Sequence, residues 1–581
     1  MPESTAGAHD AQTSRLMTLV AELPEIYQPI YGLPLVQGAR TADSDRIDVV
    51  TRMVEQVGQL VGRPLHILDL GSAQGYVAFR LSEAGHTVVG VEGLAQNVAV
   101  ARAIQEQHPD RDVRFVEADI LDCPSSVDLS EFDLVLGLSV LHHIVDRDGQ
   151  ERAVELVATL AHHIPHGVFE MALATEPVFW ARSLPTDPRA TLAPFAFIRE
   201  IGRSGTHLSE VRRPLLFASG THVLTGAGLR EIRSWSDQAH HDATNAGLRR
   251  HFMVDDDIVK IAARFVDGSD DDALAVYRHE LRNEAHILEL LTSEGVDMTR
   301  LVEFVDGDDE SILVRSSYRG VLLSVVAPSL NDEHRALITG QVLDSLAELE
   351  ERGLSHADLR LWNVIWDPDD LQAHLIDYGA VRTAPTDVMW PFDAYFSTLV
   401  WLVSLWGTFD DQIGARVPRT SRIDDLDHPP RVAALIARLM AHPRDGHVFR
   451  DLADAWKDAA DPSGSLDDLV PVAWHWLGEL EAQRTAALEA LRDHERWVDG
   501  ERATWAEERD GLIAEHRAWT GEREALLDQL AACELERAGL TAEVEADRAA
   551  RVEAETEVVK LRSTLSWRVT SPLRSLRSKG T

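Results

Sequence analysis

The chain has 581 residues, 45% of them apolar, and this length leaves room for roughly two or three domains of ordinary size. Acidic residues outnumber basic ones by 96 to 56, so the overall charge disfavours anionic partners, and we expect no nucleic-acid partner. Its two cysteines, Cys123 and Cys533, are too few and too far apart for a disulfide framework or a zinc knuckle, which is typical of a cytoplasmic protein.

Residues 1–20 are predicted to form a disordered N-terminus. Their opening, MPESTAGAHDAQTSR, has neither the basic start nor the apolar block of a secretion signal.

Residues 21–225 are predicted to form a first domain with an α/β fold. Between about residues 65 and 173, helical stretches separate five apolar runs, LHILDL, HTVVGVE, VRFVEAD, FDLVLGLS and VFEMAL. Such alternation is typical of a doubly wound parallel sheet.

A ligand site is predicted at the carboxyl ends of these strands. In HILDLGSAQGYVAF, Asp69 ends the first strand, and Gly71 and Gly75 allow close backbone approach to a ligand. Nicotinamide-dinucleotide domains use a related turn, so the glycines alone do not identify the ligand. Glu92 closes the next strand, where a carboxylate can accept both ribose hydroxyls, and Asp119 closes the third, near the place of an adenine amino group.

With the fourth strand ending in LSVLHHI, this pattern resembles the class I (Rossmann-like) S-adenosylmethionine-dependent methyltransferases. The resemblance implies that Asp69 and the glycines line the methionine part of the cofactor, Glu92 its ribose, and Asp119 with Ile120 its adenine. The full predicted cofactor set is Asp69, Gly71, Ser72, Gly75, Glu92, Asp119, Ile120, Tyr31 and Arg40. Asp119 could instead only cap a helix.

The acceptor side of this site has three candidate groups. His142 and His143 lie where acceptor chemistry takes place in such folds, although adjacent histidines are also often buried in a core. A basic cluster could bind phosphate, or could form a solvated face that balances nearby glutamates. Its members are Arg199, Arg203, His207, Arg212 and Arg213, with Glu200 and Glu210 as the acidic neighbours. YQPIYGLP with Arg40 and Arg46 is a further candidate wall.

Residues 226–477 are predicted to form a second, α+β domain with the residues of a kinase. In HADLRLWNV, Asp358 and Asn363 have the spacing of the kinase catalytic loop, and Asp377 in LIDYG heads a triplet like D-F-G. Lys260 and Glu284 take the positions of the kinase lysine and its helix partner. We therefore expect ATP and Mg²⁺, with Asn363 and Asp377 as metal ligands. His356, Asp358 and Arg360 are the predicted catalytic residues.

Departures from the protein-kinase pattern point to a small substrate. Ala357 replaces the arginine of H-R-D, and only a short segment separates Asp377 from Asp393, the candidate buried helix aspartate, so a peptide platform hardly fits. The domain therefore resembles aminoglycoside phosphotransferases. No clear glycine-rich loop precedes Lys260, and AHHDATNAGLRR would have to cover the phosphates.

The apolar run at 394–406 is too short to cross a membrane and is interpreted as a buried helix.

Residues 478–562 are predicted to form a coiled coil and residues 563–581 a basic amphipathic tail. Apolar residues recur every seven positions at Leu491, Val498, Trp505, Leu512, Trp519, Leu526, Cys533 and Leu540. The second seam is polar in its middle, which favours a parallel homo-oligomer over a single helix held by Glu–Arg pairs. The tail suits either an anionic membrane surface or protein docking.

Nearly the whole chain resembles one family, the WbdD-type bifunctional kinase/methyltransferases that terminate bacterial O-antigen polysaccharides. YQPIYGLP, DLGSAQGY, LSVLHHI, THLSEVRRPLLFAS, HADLRLWNV, LIDYGAV and the coil carry the resemblance. It implies phosphorylation of a terminal sugar and then methylation of that phosphate, which ends chain growth and regulates chain length. It also implies a trimeric coil, a polymerising glycosyltransferase as partner, and a peripheral location on the cytoplasmic face of the inner membrane.

Two other interpretations stay open at this point. One is a methyltransferase of a sugar hydroxyl that carries a non-catalytic kinase-like module. The other is a scaffold whose coil is its main function.

Overall fold

The computed structural model describes most of the first 458 residues and a short part of the C-terminal region. The described residues are 3–33, 36, 44–206, 210–237, 247–268, 271–296, 298–383, 394–407, 429–441, 448–458, 539, 544 and 546–563. The chain divides into two units, 1–478 and 479–581, so the predicted methyltransferase and kinase regions share one unit. No helix in the described ranges is long and apolar enough to span a membrane.

Among the described residues, seven strands and eight α-helices build the N-terminal region before a short hairpin. The helices are α1 Glu3–Ala21, α2 Ser44–Val61, α3 Tyr76–Glu83, α4 Ala95–Gln107, α5 Cys123–Ser126, α6 Leu141–Asp148, α7 Gln150–His163 and α8 Arg189–Leu192. The strands are β1 His66–Leu70, β2 Thr87–Glu92, β3 Val113–Glu117, β4 Leu134–Leu138, β5 His166–Glu170, β6 Phe197–Ser204 and β7 Arg213–Ser219. The hairpin pairs β8 His222–Thr225 with β9 Gly228–Glu231.

The seven strands form one sheet in the order β3-β2-β1-β4-β5-β7-β6. The first five strands are parallel, whereas β7 runs antiparallel between β5 and β6. A dinucleotide-binding sheet of order 3-2-1-4-5-6 has no such inserted strand. The sheet topology therefore favours the methyltransferase interpretation of the glycine turn over a nicotinamide-dinucleotide domain. The predicted α/β class is confirmed.

The N-terminal segment differs from the prediction of disorder. Helix α1 covers most of residues 1–20, and Leu16 and Val20 are buried in the core of this region. Arg15 also bonds to Glu106 of α4 at 2.7 Å. Two apolar residues spaced four apart are enough to hold this helix in place, because α4 supplies the surface on which they pack.

The kinase region begins with an antiparallel sheet and continues into a helical lobe. Its first strands and helices are β10 Ser234–Ser236, β11 Arg249–Val254, β12 Asp257–Ala263, α9 Asp271–Ser293, β13 Leu301–Asp306 and β14 Glu310–Ser316. The helical lobe contains β15 Val321–Leu322, α10 Leu323–Val326, α11 Asp332–Glu350, β16 Ser355–His356, β17 Val364–Asp367, β18 Gln372–Leu375, β19 Val381–Arg382, α12 Ala394–Trp406, α13 Pro430–Ala441 and α14 Val448–Asp458.

The five-stranded sheet, in the order β10-β11-β12-β14-β13, buries apolar residues on both faces. Val259 and Ile261 of β12 belong to the same core as the methyltransferase region. Ala262 on the opposite face packs with Leu281 of α9. Because successive residues of a strand point to opposite faces, Lys260 lies on the α9 side. The sheet thus lies between the methyltransferase region and α9.

Buried polar contacts reinforce the side that faces the methyltransferase region. The Arg189 guanidinium, about 3% exposed, donates to Glu310 at 2.6 Å and to Asp187 at 3.1 Å. Arg250 donates to three carbonyl oxygens in the turn before β6. Burial lowers the pKa of Arg250 to about 10, because this guanidinium meets carbonyl dipoles rather than a close carboxylate.

The helical lobe contains the predicted buried apolar helix as α12. Trp401 and Leu402 are buried, and the indole nitrogen of Trp406 donates to Thr339 of α11 at 3.0 Å. Asp393, the predicted helix aspartate, lies outside the described residues. Of the predicted coil, residues 546–562 are helical, and the helix includes Ser563, the first residue of the predicted tail; the tail beyond it lies outside the described residues.

Breaking the ion pair between the two regions should destabilise unit 1–478. Glu310→Gln keeps the side-chain volume but leaves the Arg189 charge only partly compensated, so we expect a loss of about 2–3 kcal/mol in unfolding free energy. Asp309→Asn removes an exposed partner of Arg203 and should cost less than about 1 kcal/mol. Urea unfolding followed by tryptophan fluorescence measures the unfolding free energy of both variants. Equal losses would contradict the assignment of the Arg189–Glu310 pair as a stabilising contact between the two regions.

Candidate active sites

The turn after β1 forms a narrow backbone loop held by Glu92. Gly71 and Gly75 have φ of 67° and 83°, a region that favours glycine. A Cβ on Gly71 would lie 2.7 Å from the Val140 side chain, and 3.7 Å from that of Ile120. The Glu92 carboxylate accepts the backbone N–H of Ala73 at 2.9 Å and that of Leu94 at 2.8 Å. The loop and the end of β2 are therefore fixed relative to each other.

Two polar side chains in this loop are fully buried without a protein partner. Asp69 Oδ2 and Ser72 Oγ accept or donate no hydrogen bond within the described part of the chain. Burial raises the pKa of Asp69 to about 7, against the opposing effect of Arg46. Buried polar atoms without partners are costly, so this loop fits a ligand with cationic and hydrogen-bonding groups. S-adenosylmethionine has both.

A buried carboxylate organises the far end of β4 and β5. Glu170 accepts a hydrogen bond from Arg46 at 3.0 Å, and also from the hydroxyls of Ser139 and Ser204. Ser139 has φ of 60°, a conformation that non-glycine residues rarely adopt and that clusters at functional sites. Arg46, a predicted wall residue, therefore lies in the site.

A second buried pair lies next to this cluster. Arg213 donates to both oxygens of Glu176 at 2.7 and 2.8 Å and to Ser139 Oγ at 3.1 Å. Its guanidinium lies over the Trp180 ring, which contacts the His142 ring at a tilt of 38°. His142 in turn contacts the ring of His143, and burial together with Arg213 lowers the pKa of His143, so that this imidazole is neutral at pH 7.

The basic cluster mostly lies elsewhere than predicted. Arg199 pairs with Glu303, Arg203 with Glu200 and Asp309, and Arg212 donates to the Arg203 carbonyl. Except for Arg213 these described side chains bond to the kinase region or to one another, so of the two alternatives the contacts favour balance by acidic neighbours such as Glu200 over a phosphate patch. Glu303 and Asp309, the partners in the kinase region, lie about a hundred residues away in sequence, so the pattern could not reveal these two pairs. His207 lies outside the described residues.

Two other predicted cofactor residues have protein partners. The Tyr31 hydroxyl donates to Glu83 at 2.6 Å and accepts from Arg111, while its ring stacks on Phe79. Tyr31 therefore packs against α3, and none of its described contacts is to a predicted cofactor residue. Asp119 caps the turn at Leu121 and pairs with Arg147 at 2.7 Å. Arg40 lies outside the described residues.

In the kinase region, four distant segments meet in one cleft. Lys260 Nζ donates to Glu284 at 2.7 Å and to Asp377 at 2.9 Å. Glu284 is almost fully buried and also pairs with Arg315 at 3.1 Å. Burial alone would raise the pKa of Asp377, but the charges of Lys260 and Arg249 hold that pKa well below its usual range. Asp377 has φ of 66°, a left-handed backbone conformation that non-glycine residues rarely adopt.

The catalytic-loop residues form the floor of the same cleft. Asn363 Nδ2 donates to the side chain and the carbonyl of Asp358, both at 2.8 Å. His356 contacts the Ile376 carbonyl at 2.9 Å, immediately before Asp377. Burial raises the pKa of Asp358, partly offset by Arg360 at 3.6 Å. Such a shift moves a carboxylate toward the range useful for accepting a proton.

Sequence reasoning missed two basic residues and a carboxylate on the roof of this cleft. In the pairing of β11 with β12, His251 lies directly opposite Lys260. Arg249, two residues before His251, lies on the same face of the sheet. Arg249 pairs with Glu280 at 3.3 Å and lies 4.3 Å from the centre of the Tyr277 ring. Charged residues on the inner face of a predicted strand are the signal that could have found them. Most of AHHDATNAGLRR lies outside the described residues.

Within the described ranges, no group of three or more His, Cys, Asp and Glu side chains is arranged to hold a metal. Asn363 and Asp377 supply only two side chains, and a kinase Mg²⁺ takes its remaining oxygen ligands from phosphates and water.

Together, the two sites define a protein that joins a methyltransferase fold to a kinase fold. A family model described as a methyltransferase domain matches residues 63–162. The O-antigen chain terminator bifunctional methyltransferase/kinase WbdD of Escherichia coli is 35% identical over 402 residues, 68% of this chain and 56% of that protein. The chain thus spans little more than half the length of this relative.

Solved structures extend the similarity. A medium-resolution structure of the bifunctional kinase-methyltransferase WbdD is 31% identical, with a TM-score of 0.64 over 79% of this chain and 99% of that one. A low-resolution WbdD structure with an ordered C-terminal bundle is 30% identical, with a TM-score of 0.66 over 84% and 99% of the two chains. The chain belongs to the WbdD-type family of bifunctional kinase-methyltransferases, as the sequence resemblance predicted.

The pKa of Asp69 gives a pH-dependent prediction. The carboxyl has a folded pKa of about 7 against 3.8 for the free group, so ionising it costs folding stability increasingly between these values. A cationic ligand favours the ionised form, so binding of S-adenosylmethionine should release a proton and tighten several-fold from about pH 6 to about pH 7.5. Calorimetry in two buffers of different ionisation enthalpy measures this release. Asp69→Asn should abolish it, and an unchanged pH profile in that variant would contradict the assignment.

Proposed function

We propose that this protein phosphorylates the terminal sugar of a bacterial surface polysaccharide with ATP and then methylates that phosphate with S-adenosylmethionine. The modified end cannot be extended, so the enzyme ends chain growth and regulates chain length. The observation that carries the proposal is the cleft in which Asp358, Asn363 and Asp377 meet the Lys260–Glu284 pair, within the same unit as the Asp69 loop. The chain-terminating function named for the Escherichia coli relative supports it.

In the kinase step, each residue has a separate task. Asp358 orients the sugar hydroxyl and receives its proton, which its raised pKa favours. Lys260, held by Glu284, pairs with the nucleotide phosphates. Asn363 and Asp377 would hold Mg²⁺, which neutralises charge that develops on the phosphates. His356 supports the segment that carries Asp377 through its contact with the Ile376 carbonyl.

In the methyl-transfer step, orientation matters more than proton removal. A phosphate monoester already carries a nucleophilic oxyanion at neutral pH, since its second pKa is about 6. Bound S-adenosylmethionine supplies an electrophilic methyl group. Asp69, Ser72 and Glu92 would hold this cofactor, while Ser139, Arg213 and the two histidines face the acceptor. Substrate alignment of this kind can supply most of the rate enhancement.

A second candidate is methylation of a sugar hydroxyl beside a non-catalytic kinase-like module. The specific observation in its favour is His143, whose lowered pKa leaves a neutral imidazole that could take a hydroxyl proton. Phosphorus NMR of the modified glycan end separates a methyl phosphodiester from a methyl ether.

The C-terminal region is proposed to assemble the protein and to recruit its partners. Val544 and Val558 lie on the second predicted seam and Leu561 on the first, and they are 67%, 45% and 53% exposed on the described helix. Parallel association would bury such a seam, and a trimer is the state that the family resemblance favours. The basic tail would then contact an anionic inner-membrane surface, with a polymerising glycosyltransferase docked nearby.

Asp358→Asn tests the order of the two steps. This change keeps the shape but removes the proton acceptor, so phosphate incorporation from ATP should fall by about a hundredfold or more. Asp370→Asn, an exposed change in the same lobe, is the matched control. The assay is mass spectrometry of an oligosaccharide panel incubated with ATP, magnesium and S-adenosylmethionine.

Supplying Asp358→Asn with chemically phosphorylated glycan should restore methylation to the wild-type level. Methylation of unphosphorylated glycan by this variant would contradict the sequential scheme.

Val558→Asp tests the coil. A carboxylate in the apolar seam should weaken assembly and lower the molar mass measured by light scattering. Glu557→Asp, a conservative exposed change, serves as the control. A Val558→Asp variant with unchanged mass would contradict the seam assignment.

A further inference from the structure

A short 3-10 turn, Phe179–Ser183, packs one of its faces on α6. Residues three apart eclipse each other in a 3-10 helix. The Trp180 ring contacts His142 in a tilted arrangement with ring centroids 4.4 Å apart, and Ser183 Oγ donates to Asp146 at 2.9 Å. His142 and Asp146 are one helical turn apart on α6. The Trp180–Ser183 face therefore anchors the turn.

The other eclipsed pair, Phe179 and Arg182, is exposed to solvent. Phe179 is 73% exposed, which leaves most of an aromatic ring in water. The backbone of the turn is held in place, because Ala181 N–H bonds to the Val178 carbonyl and Leu184 N–H to the Ala181 carbonyl. Aromatic residues and arginine are both enriched at interaction surfaces, so the pair is a candidate ligand contact.

This exposed pair borders the acceptor side of the methyltransferase site. The ring of the adjacent Trp180 lies under the Arg213 guanidinium, 5.2 Å from its centroid. Arg213 donates to Ser139, the residue that follows β4. Contacts therefore lead from the turn to the end of the strand where the acceptor is proposed to react.

We propose that Phe179 and Arg182 form a glycan-docking lip of the methyltransferase site. The Phe179 ring stacks on the apolar face of a terminal or penultimate sugar, and the Arg182 guanidinium pairs with the phosphate that the sugar carries. The inference rests on the proposed function, because it assumes that the methyl acceptor is a phosphorylated glycan.

The chemistry of the two side chains fits such an occupant. Sugar rings present C–H groups on one face, and these contact the electron-rich face of an aromatic ring favourably. A guanidinium matches phosphate oxygens with two parallel donors. Arg199, Arg203 and Arg212 pair with protein groups, and Arg213 is bidentate to Glu176. Arg182 supplies an exposed guanidinium beside this site.

The first test is Phe179→Ala in the full-length chain, assayed for methyl transfer to a phosphorylated oligosaccharide. KM for the glycan should rise about three- to tenfold, the range for loss of one aromatic stacking contact, with kcat little changed. Phe179→Tyr should retain the wild-type KM. Val325→Ala, another exposed apolar residue at 67%, should have no effect. An unchanged KM in Phe179→Ala would overturn the lip.

The second test is Arg182→Ala, with glycan affinity measured by calorimetry at two salt concentrations. Affinity for phosphorylated oligosaccharide should fall about fivefold and lose part of its salt dependence, whereas affinity for the unphosphorylated form should not change. Arg152→Ala on α7 is the matched exposed-arginine control. An equal loss for both glycans would overturn the phosphate contact.

Further measurements separate this inference from the proposed function. S-adenosylmethionine affinity and melting temperature should match wild type in both variants, since neither side chain supports the core. If wild-type protein transfers no methyl group to phosphorylated glycan, the proposed function fails. If wild-type protein transfers the methyl group and Phe179→Ala has the same KM for the glycan, only the proposed docking lip fails. A changed molar mass with an unchanged KM would assign Phe179 to a contact between copies and overturn the proposal.

Discussion

The alternation of apolar residues on β12 and β14 is the constraint on which both sites depend. Val259 and Ile261 extend the methyltransferase core, while Ala262 and Leu313 pack on the side of α9. Lys260 falls between them on the α9 face, which brings it to Glu284. A shift of one residue in strand register would turn the lysine toward the methyltransferase region and expose the core residues. One strand thus connects the two domains and orients the kinase cleft.

The residues that sequence could locate are those whose chemistry coincides with a break in local pattern. Asp69 and Glu92 end apolar strands, and a parallel sheet brings strand ends to one edge. Asp358 and Asn363 are five positions apart, so their contact is a local one. Lys260 and Glu284 were predicted from kinase spacing alone, and the sheet and α9 place them 2.7 Å apart. The structure brings these residues together where short-range geometry or a known fold supplied the distance, and their roles stay predictions.

The residues that sequence misplaced are those whose partners are distant along the chain. Arg203 pairs with Glu200, the acidic neighbour that the sequence offered, but also with the distant Asp309, and Arg315 gave no signal although it shares Glu284 with Lys260. Tyr31 belonged to a suggestive motif, but its hydroxyl bonds to Glu83. Ion pairs between residues that are distant along the chain produce no repeating sequence pattern. The composition therefore gives the number of charged residues but does not show which of them pair.

The buried contacts of Arg189 and Arg250 also bear on how the kinase turns over. They anchor the sheet that forms the roof of the nucleotide cleft to the methyltransferase region. In the proposed kinase reaction, opening of this cleft would therefore fall to the helical lobe, because the roof is tied to the methyltransferase region. The loop around Asp69 lies on the tied side, so the proposed methyl-donor pocket would keep its shape while the nucleotide leaves.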